Sequence, residues 1–137
     1  AAAALLTDMY LEALRAIAGE PDRTVAAASA SQVRAAEAVM RAVHAEPVAM
    51  GEIARAVGVG VRALQIAFRR HRGLTPHQAL SLARLEAARA RLVAAAPGET
   101  VTTIALDCGF AHLGRFAAAY RRMFGETPAE TLRNTLQ

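Results

Sequence analysis

Arginine and histidine supply most of the side chains in this 137-residue sequence that could do chemistry. All sixteen basic residues other than the four histidines are Arg, and Lys is absent. Arg62 and Gln65 stand three apart, flanked by Val61 and Ile66, and Arg69, Arg70 and Arg72 follow. A second adjacent pair, Arg121-Arg122, comes later, preceded by His112, Leu113 and Arg115. Guanidinium groups present a rigid fork of donors that suits phosphate and carboxylate oxygens. Other chemistry is poorly served. Cys108 and His112 are four apart, a metal-ligand spacing on a helix, but Gly109 breaks the helix between them and no second ligand pair exists. A buried core cysteine is the better reading. His44, His71 and His77 are scattered, with no nucleophile arranged beside them. No glycine-rich loop of the P-loop or Rossmann type is present. The chain is therefore not read as an enzyme, and no metal or cofactor is expected.

The bulk properties narrow the partners. Apolar residues make up 54% of the chain and aromatics only 4%, because alanine supplies so much of the apolar share. Such a composition favours helix over sheet. No uninterrupted apolar run reaches membrane-spanning length, and AAAALL at the N-terminus has neither the basic flank nor the length of a secretory signal. One cysteine excludes an internal disulfide and fits a reducing cytoplasm. The first residue is not Met, as in a piece of a longer chain. Charge is unevenly placed. Residues 1–49 hold four Arg against six acids, whereas residues 50–137 hold twelve Arg against six. A basic domain of high pI is an electrostatic prior for nucleic acid.

Periodicity gives the elements that would position these side chains. Leu6, Met9, Tyr10, Ala13, Leu14 and Ile17 form an apolar stripe over a first helix, residues 5–18. Ser31 is read as the N-cap of a second helix reaching about Ala45, with Val33, Ala36, Met40 and Val43 inward. A short helix over 50–58 buries Met50, Ile53, Ala54 and Val57. Gly58 then allows a sharp turn into a helix from Gly60 to Arg72, with Leu64 and Phe68 inward and Val61, Arg62, Gln65, Ile66 and Arg69 outward. Short helix, glycine turn and longer helix is a helix-turn-helix pattern. Thr75-Pro76 opens a long helix to about Ala95, with Leu82, Leu85 and Leu92 in its core face and Arg84 and Arg91 seven apart.

The pattern then repeats. Ile104-Ala105 and Gly109 follow Ile53-Ala54 and Gly58 at an offset of 51. Tyr120, Arg121-Arg122, Gly125, Thr127-Pro128 and Leu132 follow Phe68, Arg69-Arg70, Gly73, Thr75-Pro76 and Leu80 at an offset of 52. One residue inserted at a turn explains the change. Two copies are too few for a solenoid. The expected fold is all-α: two helix-turn-helix subdomains, homeodomain-like three-helix units, joined by a long linker helix. The expected organisation is an N-terminal helix and linker over 1–30, a first subdomain over 31–75, the linker helix over 76–96 and a second subdomain over 97–137. The linker would hold the two longer helices at a fixed separation.

On these residues the sequence resembles the DNA-binding domain of the AraC/XylS family of bacterial transcription regulators, over roughly residues 33–133. The strongest stretch runs through Ile104-Ala105, Gly109-Phe110, Arg115-Phe116, Tyr120-Arg121-Arg122, Phe124-Gly125 and Thr127-Pro128. Ile53-Ala54, Gly58, Leu64-Gln65, Phe68-Arg69-Arg70, Gly73, Thr75-Pro76, and Arg84-Leu85 with Ala88-Arg89 and Leu92 support it. The resemblance implies two recognition helices in successive major-groove segments of double-stranded promoter DNA, which lie about 34 Å apart. It implies regulation through contact with RNA polymerase, and no cofactor.

Base contacts then fall to the outward, N-terminal part of each recognition helix. In the first these are Val61, Arg62, Gln65 and Ile66: Arg62 bidentate to guanine, Gln65 to adenine, and Val61 or Ile66 against a thymine methyl. In the second the aligned positions are Leu113, Gly114, Ala117 and Ala118, and only His112 and Arg115 offer long polar groups. The second helix is therefore expected to dock on the backbone more than to read bases. Gly60, Arg69, Arg70, Arg72, Arg121 and Arg122 are the expected phosphate contacts. Gly60 and His112 stand where relatives often place Ser or Thr. Residues 1–30 are read as the remnant of an effector or dimerisation region, whose stripe would suit a homodimer or fold back on its own domain. The reading from another class is a helical protein-interaction module, an anti-regulator that uses the same fold without specific DNA binding. The small outward residues of the second helix favour it, and the basic half opposes it.

Overall fold

The computed structural model describes residues 29–137, and the expected 5–18 helix lies outside them. The described residues form seven α-helices and no strand. In chain order they are α1 (Ala30–Val43), α2 (Met50–Ala56), α3 (Val61–Arg72), α4 (Pro76–Val93), α5 (Val101–Asp107), α6 (Leu113–Phe124) and α7 (Pro128–Leu136). They group into two compact units. Among the described residues the first comprises those up to Val43 together with Pro47–Ser81, and the second His44–Glu46 with Leu82–Gln137. The boundary falls inside α4. Residues 76–81 of this helix group with the first unit and the rest with the second.

In the first unit α1 packs on α2 and α3, and α2 on α3. Val33, Ala36, Val39, Met40 and Val43 of α1 are buried with Met50, Ile53, Ala54, Leu64, Ala67 and Phe68. The start of α4 adds Ala79 and Leu80. The cap of α1 differs from the sequence expectation. Ser29, two residues before Ser31, accepts the Gln32 amide at 3.3 Å, and Gln32 Oε1 accepts the Ser29 amide at 2.8 Å. This reciprocal capping box requires Gln three residues after the cap, and Ser31 has no such partner.

In the second unit Leu85, Ala88 and Leu92 of α4 share a core with Ile104, Ala105, Cys108, Phe116 and Tyr120. The helices α5, α6 and α7 pack on one another. Four rings stack in succession: Phe110 on Phe116 at 4.6 Å, Phe116 on Tyr120 at 5.7 Å, and Tyr120 on Phe124 at 4.6 Å between centroids. Their tilted geometry suits the ring quadrupoles. The Tyr120 hydroxyl is buried and donates to Thr131 Oγ1 at 2.8 Å, and Thr131 in turn donates to Glu126 at 2.8 Å. Thr127 caps α7 in a full capping box with Glu130, with Pro128 in the first turn. Cys108 is buried as expected, and burial pushes its thiol pKa up.

The arginines of α4 are turned to structural use. Arg84 donates to the backbone carbonyls of His44 at 2.8 Å and Glu46 at 3.1 Å. Burial without a carboxylate partner lowers its pKa. Here α1 stops at Val43, short of the expected Ala45, because the carbonyls that follow go to Arg84 and Pro47 disfavours helix before it. Arg91 bridges Glu99 at 3.2 Å and Asp107 at 3.3 Å. Arg89 lies 4.8 Å over the Phe124 ring and 3.5 Å from Glu126.

Candidate nucleic-acid interface

Both helix-turn-helix units build the same turn. In each, the glycine adopts positive φ, 80° at Gly58 and 92° at Gly109. The next amide reaches back to the third-last helical carbonyl region in the same way: Val59 N to Ala54 O and Phe110 N to Ala105 O, both 3.0 Å. This is the Schellman arrangement, which satisfies carbonyls left open at a helix end. At Gly109 a second demand is added. A Cβ there would sit 2.6 Å from the His44 carbonyl oxygen. The extra residue of the second copy falls after this turn. Val59 and Gly60 separate Gly58 from α3, whereas Phe110, Ala111 and His112 separate Gly109 from α6. The helices that follow are each twelve residues long and end on a left-handed glycine, Gly73 or Gly125.

The inward face of α3 is Leu64, Ala67 and Phe68, so the opposite face is fixed by helical geometry. Val61, Arg62, Gln65, Ile66, Arg69, Arg70 and Arg72 are all exposed. The N-cap Gly60 is extended and offers no side-chain cap, which leaves its first-turn amides open to an anion. An open groove of about 750 Å³ runs along this face. Arg62, Gln65, Ile66, Arg69 and Arg70 line it, with Met50 from α2 and Thr75, Pro76 and His77 from the following turn and helix. Of the four expected readers Arg62, Gln65 and Ile66 share this groove, while Val61 is exposed but does not line it. Arg72, an expected phosphate contact, does not line it either. Its guanidinium holds Glu37 through two bonds of 2.9 and 3.0 Å, and that bond with its charge raises the Arg72 pKa.

On α6 the buried residues are Phe116 and Tyr120. Leu113, Gly114, Arg115, Ala118, Arg121 and Arg122 are exposed, Ala117 is half-buried, and His112 is the exposed N-cap. The polar equipment of this face is Arg115, Arg121, Arg122 and His112. Nothing lies within 4 Å of a Cβ placed on Gly114, so no packing demand explains glycine there.

The two units therefore sort the arginines. Arg72, Arg84, Arg89 and Arg91 are bonded within the protein, while Arg62, Arg69, Arg70, Arg115, Arg121 and Arg122 are exposed without an internal partner. Of the exposed, unpartnered arginines among the described residues, these six lie on the two recognition helices, and Arg34, Arg55 and Arg133 lie on α1, α2 and α7. Sequence reasoning missed His77, which only the turn at Gly73 brings to the groove. It also missed the Glu37 partner of Arg72, 35 residues away.

A family model described as a helix-turn-helix domain matches residues 53–134. A solved structure of a probable AraC family transcriptional regulator from Rhodopseudomonas palustris is 37% identical, with a TM-score of 0.74, covering 79% of this chain and all of that one. The chain belongs to the AraC/XylS family. A second AraC-type structure, from Chromobacterium violaceum, is 31% identical with a TM-score of 0.70, covering 78% of this chain and 94% of that one. Among curated members, a "Probable thc operon regulatory protein" of Rhodococcus erythropolis is 43% identical over 102 residues, or 74% of this chain and 31% of its own. The "XylDLEGF operon transcriptional activator" of Pseudomonas putida is 41% identical over 87 residues, 63% of this chain and 27% of its own. The chain thus spans about a third of the length of these AraC/XylS relatives. Residues 53–134 match the helix-turn-helix model and the relatives are transcription regulators by name, which makes this a domain of DNA-binding transcription regulation.

Proposed function

We propose that this domain binds double-stranded promoter DNA in the major groove with unequal division of labour between its units. The first unit reads bases: Arg62 and Gln65 carry the hydrogen-bonding groups, and Val61 and Ile66 the apolar contacts. The second unit docks through Arg115, Arg121, Arg122 and His112, with Leu113 against the groove, and specifies fewer bases. Arg69 and Arg70 hold phosphates beside the first half-site, as do the open amides after Gly60. Arg72 is left out of this set because Glu37 already holds it. The observation that carries the reading is the exposed, unpartnered Arg62 and Gln65 on one groove, against Gly114, Ala117 and Ala118 at the aligned positions.

Regulation would follow from contact with RNA polymerase, in the cytoplasm. No described helix is long and apolar enough to cross a membrane. Dimerisation through the 1–30 segment completes the proposal and is separable from it: deletion of that segment should reduce particle mass in light scattering if it pairs chains. Selection of bound sites from a random duplex pool tests the main claim. The expected result is one well-defined half-site and one degenerate one. Equal information in both halves would sink the division of labour, and no salt-sensitive binding to any duplex would favour the protein-interaction module instead.

A further inference from the structure

The groove on the first unit holds one side chain with no role so far. His77 is exposed at the start of α4 and lines the same groove as Arg62, Arg69 and Arg70. Every charged or titratable residue lining the groove is basic. Of the elements around it, α2 contributes only Met50 and the turn into α4 only Thr75 and Pro76. The backbone amides at the start of α4 do not supply a ready anion site. Gln78 N is taken by Thr75 Oγ1 at 3.1 Å, and Thr75 N by Gln78 Oε1 at 2.9 Å. Of the amides in this turn, that of His77 itself has no such bond, and the one charge-bearing side chain that the start of α4 adds to the groove is the imidazole. Arg69 and Arg70, the expected phosphate contacts, line the groove together with His77.

We infer that His77 is a further phosphate contact, extending the line of Arg69 and Arg70 along the DNA strand that borders the first recognition helix. The inference rests on the DNA-binding reading and adds a property to it. A histidine changes charge between pH 5 and 8. The neutral ring can give the phosphate one N–H bond. The imidazolium gives it that bond with a full charge and releases one more counterion. Contact with a phosphate favours the charged form, so binding takes up a proton and tightens as pH falls. The effect belongs to the backbone and is independent of base sequence.

The test uses the full chain, a short random-sequence duplex, and titrations over several salt concentrations at about pH 6 and about pH 8. Three proteins are compared: wild type, His77→Gln, and His77→Arg. The other histidines are common to all three, so differences report position 77. Wild type should bind roughly three- to tenfold more tightly than His77→Gln at the lower pH, with little difference at the higher. Its salt slope at the lower pH should be steeper by about one phosphate. His77→Arg should keep the tight affinity at both pH values. Salt-sensitive binding that is the same in wild type and His77→Gln at both pH values overturns the inference and leaves the DNA-binding reading standing. Absence of salt-sensitive binding by wild type overturns both.

Discussion

Among the described residues of the first unit the one Phe or Tyr is Phe68, fully buried in a core otherwise made of Val, Ile, Leu, Met and Ala. In the second, Phe110, Phe116, Tyr120 and Phe124 run as a ladder, and a buried hydroxyl relay ties Tyr120 through Thr131 to Glu126. The outward faces differ in the opposite sense. The first recognition helix carries Arg62 and Gln65 toward a groove, and the second carries Gly114 and Ala117 at the aligned positions. The same backbone turn and the same twelve-residue helix serve both. One unit concentrates specific groups outside, and the other concentrates them inside. This teaches that a duplicated framework can keep its caps and turns while its two faces change independently, because burial and recognition use different positions of one helix.

The largest expected break of the comparison is at the turns. Gly109→Ala would meet both a left-handed backbone and the His44 carbonyl at 2.6 Å. It should destabilise the protein by about 3 kcal/mol or more. Gly125→Ala carries only the backbone term, since nothing lies within 4 Å of its Cβ, and should cost about 1–2 kcal/mol. Urea unfolding of the two variants measures the gap, and equal losses would show that the close approach has no weight. Next comes the recognition face. Arg62→Ala should weaken binding to a selected site by about 1–3 kcal/mol and relax preference at one base pair. Arg115→Ala should weaken binding to selected and random duplexes alike. Equal loss of sequence preference in both would erase the distinction between the units. The smallest effect is at Gly114. It sits inside α6 with free space around it, so Gly114→Ala should stabilise by roughly 0.5–1 kcal/mol and shift thermal unfolding upward. Lost DNA affinity in that variant would mean that α6 approaches the duplex too closely for a methyl group.

Most of the framework was legible because it is local. Thr127, Pro128 and Gly125 act within a turn of their own position, and the apolar spacing of α3 sets its outward face without help from the rest of the chain. The cap at Ser29 was also written locally, in the Gln three residues later, but the nearer Ser31 competes for the same reading. What was not legible is tertiary. Glu37 meets Arg72 only once α1 and α3 pack, and Arg84 has backbone carbonyls for partners, which carry no sequence label. His77 looks isolated along the chain and joins the arginines only after the turn at Gly73. The division of α4 between two cores was hidden for the same reason: helical periodicity marks a buried face without saying which neighbours bury it.

The shared helix bears on how this protein can be taken apart. A fragment ending at Thr75 would lack Ala79 and Leu80, which the first unit buries. One ending at Ser81 would keep them, yet strand the His44 and Glu46 carbonyls without the guanidinium of Arg84. No single cleavage of the chain yields both units whole, because the second unit takes His44–Glu46 from before Pro47–Ser81 and Leu82–Gln137 from after it, so any cut within α4 parts the second unit from its own carbonyls.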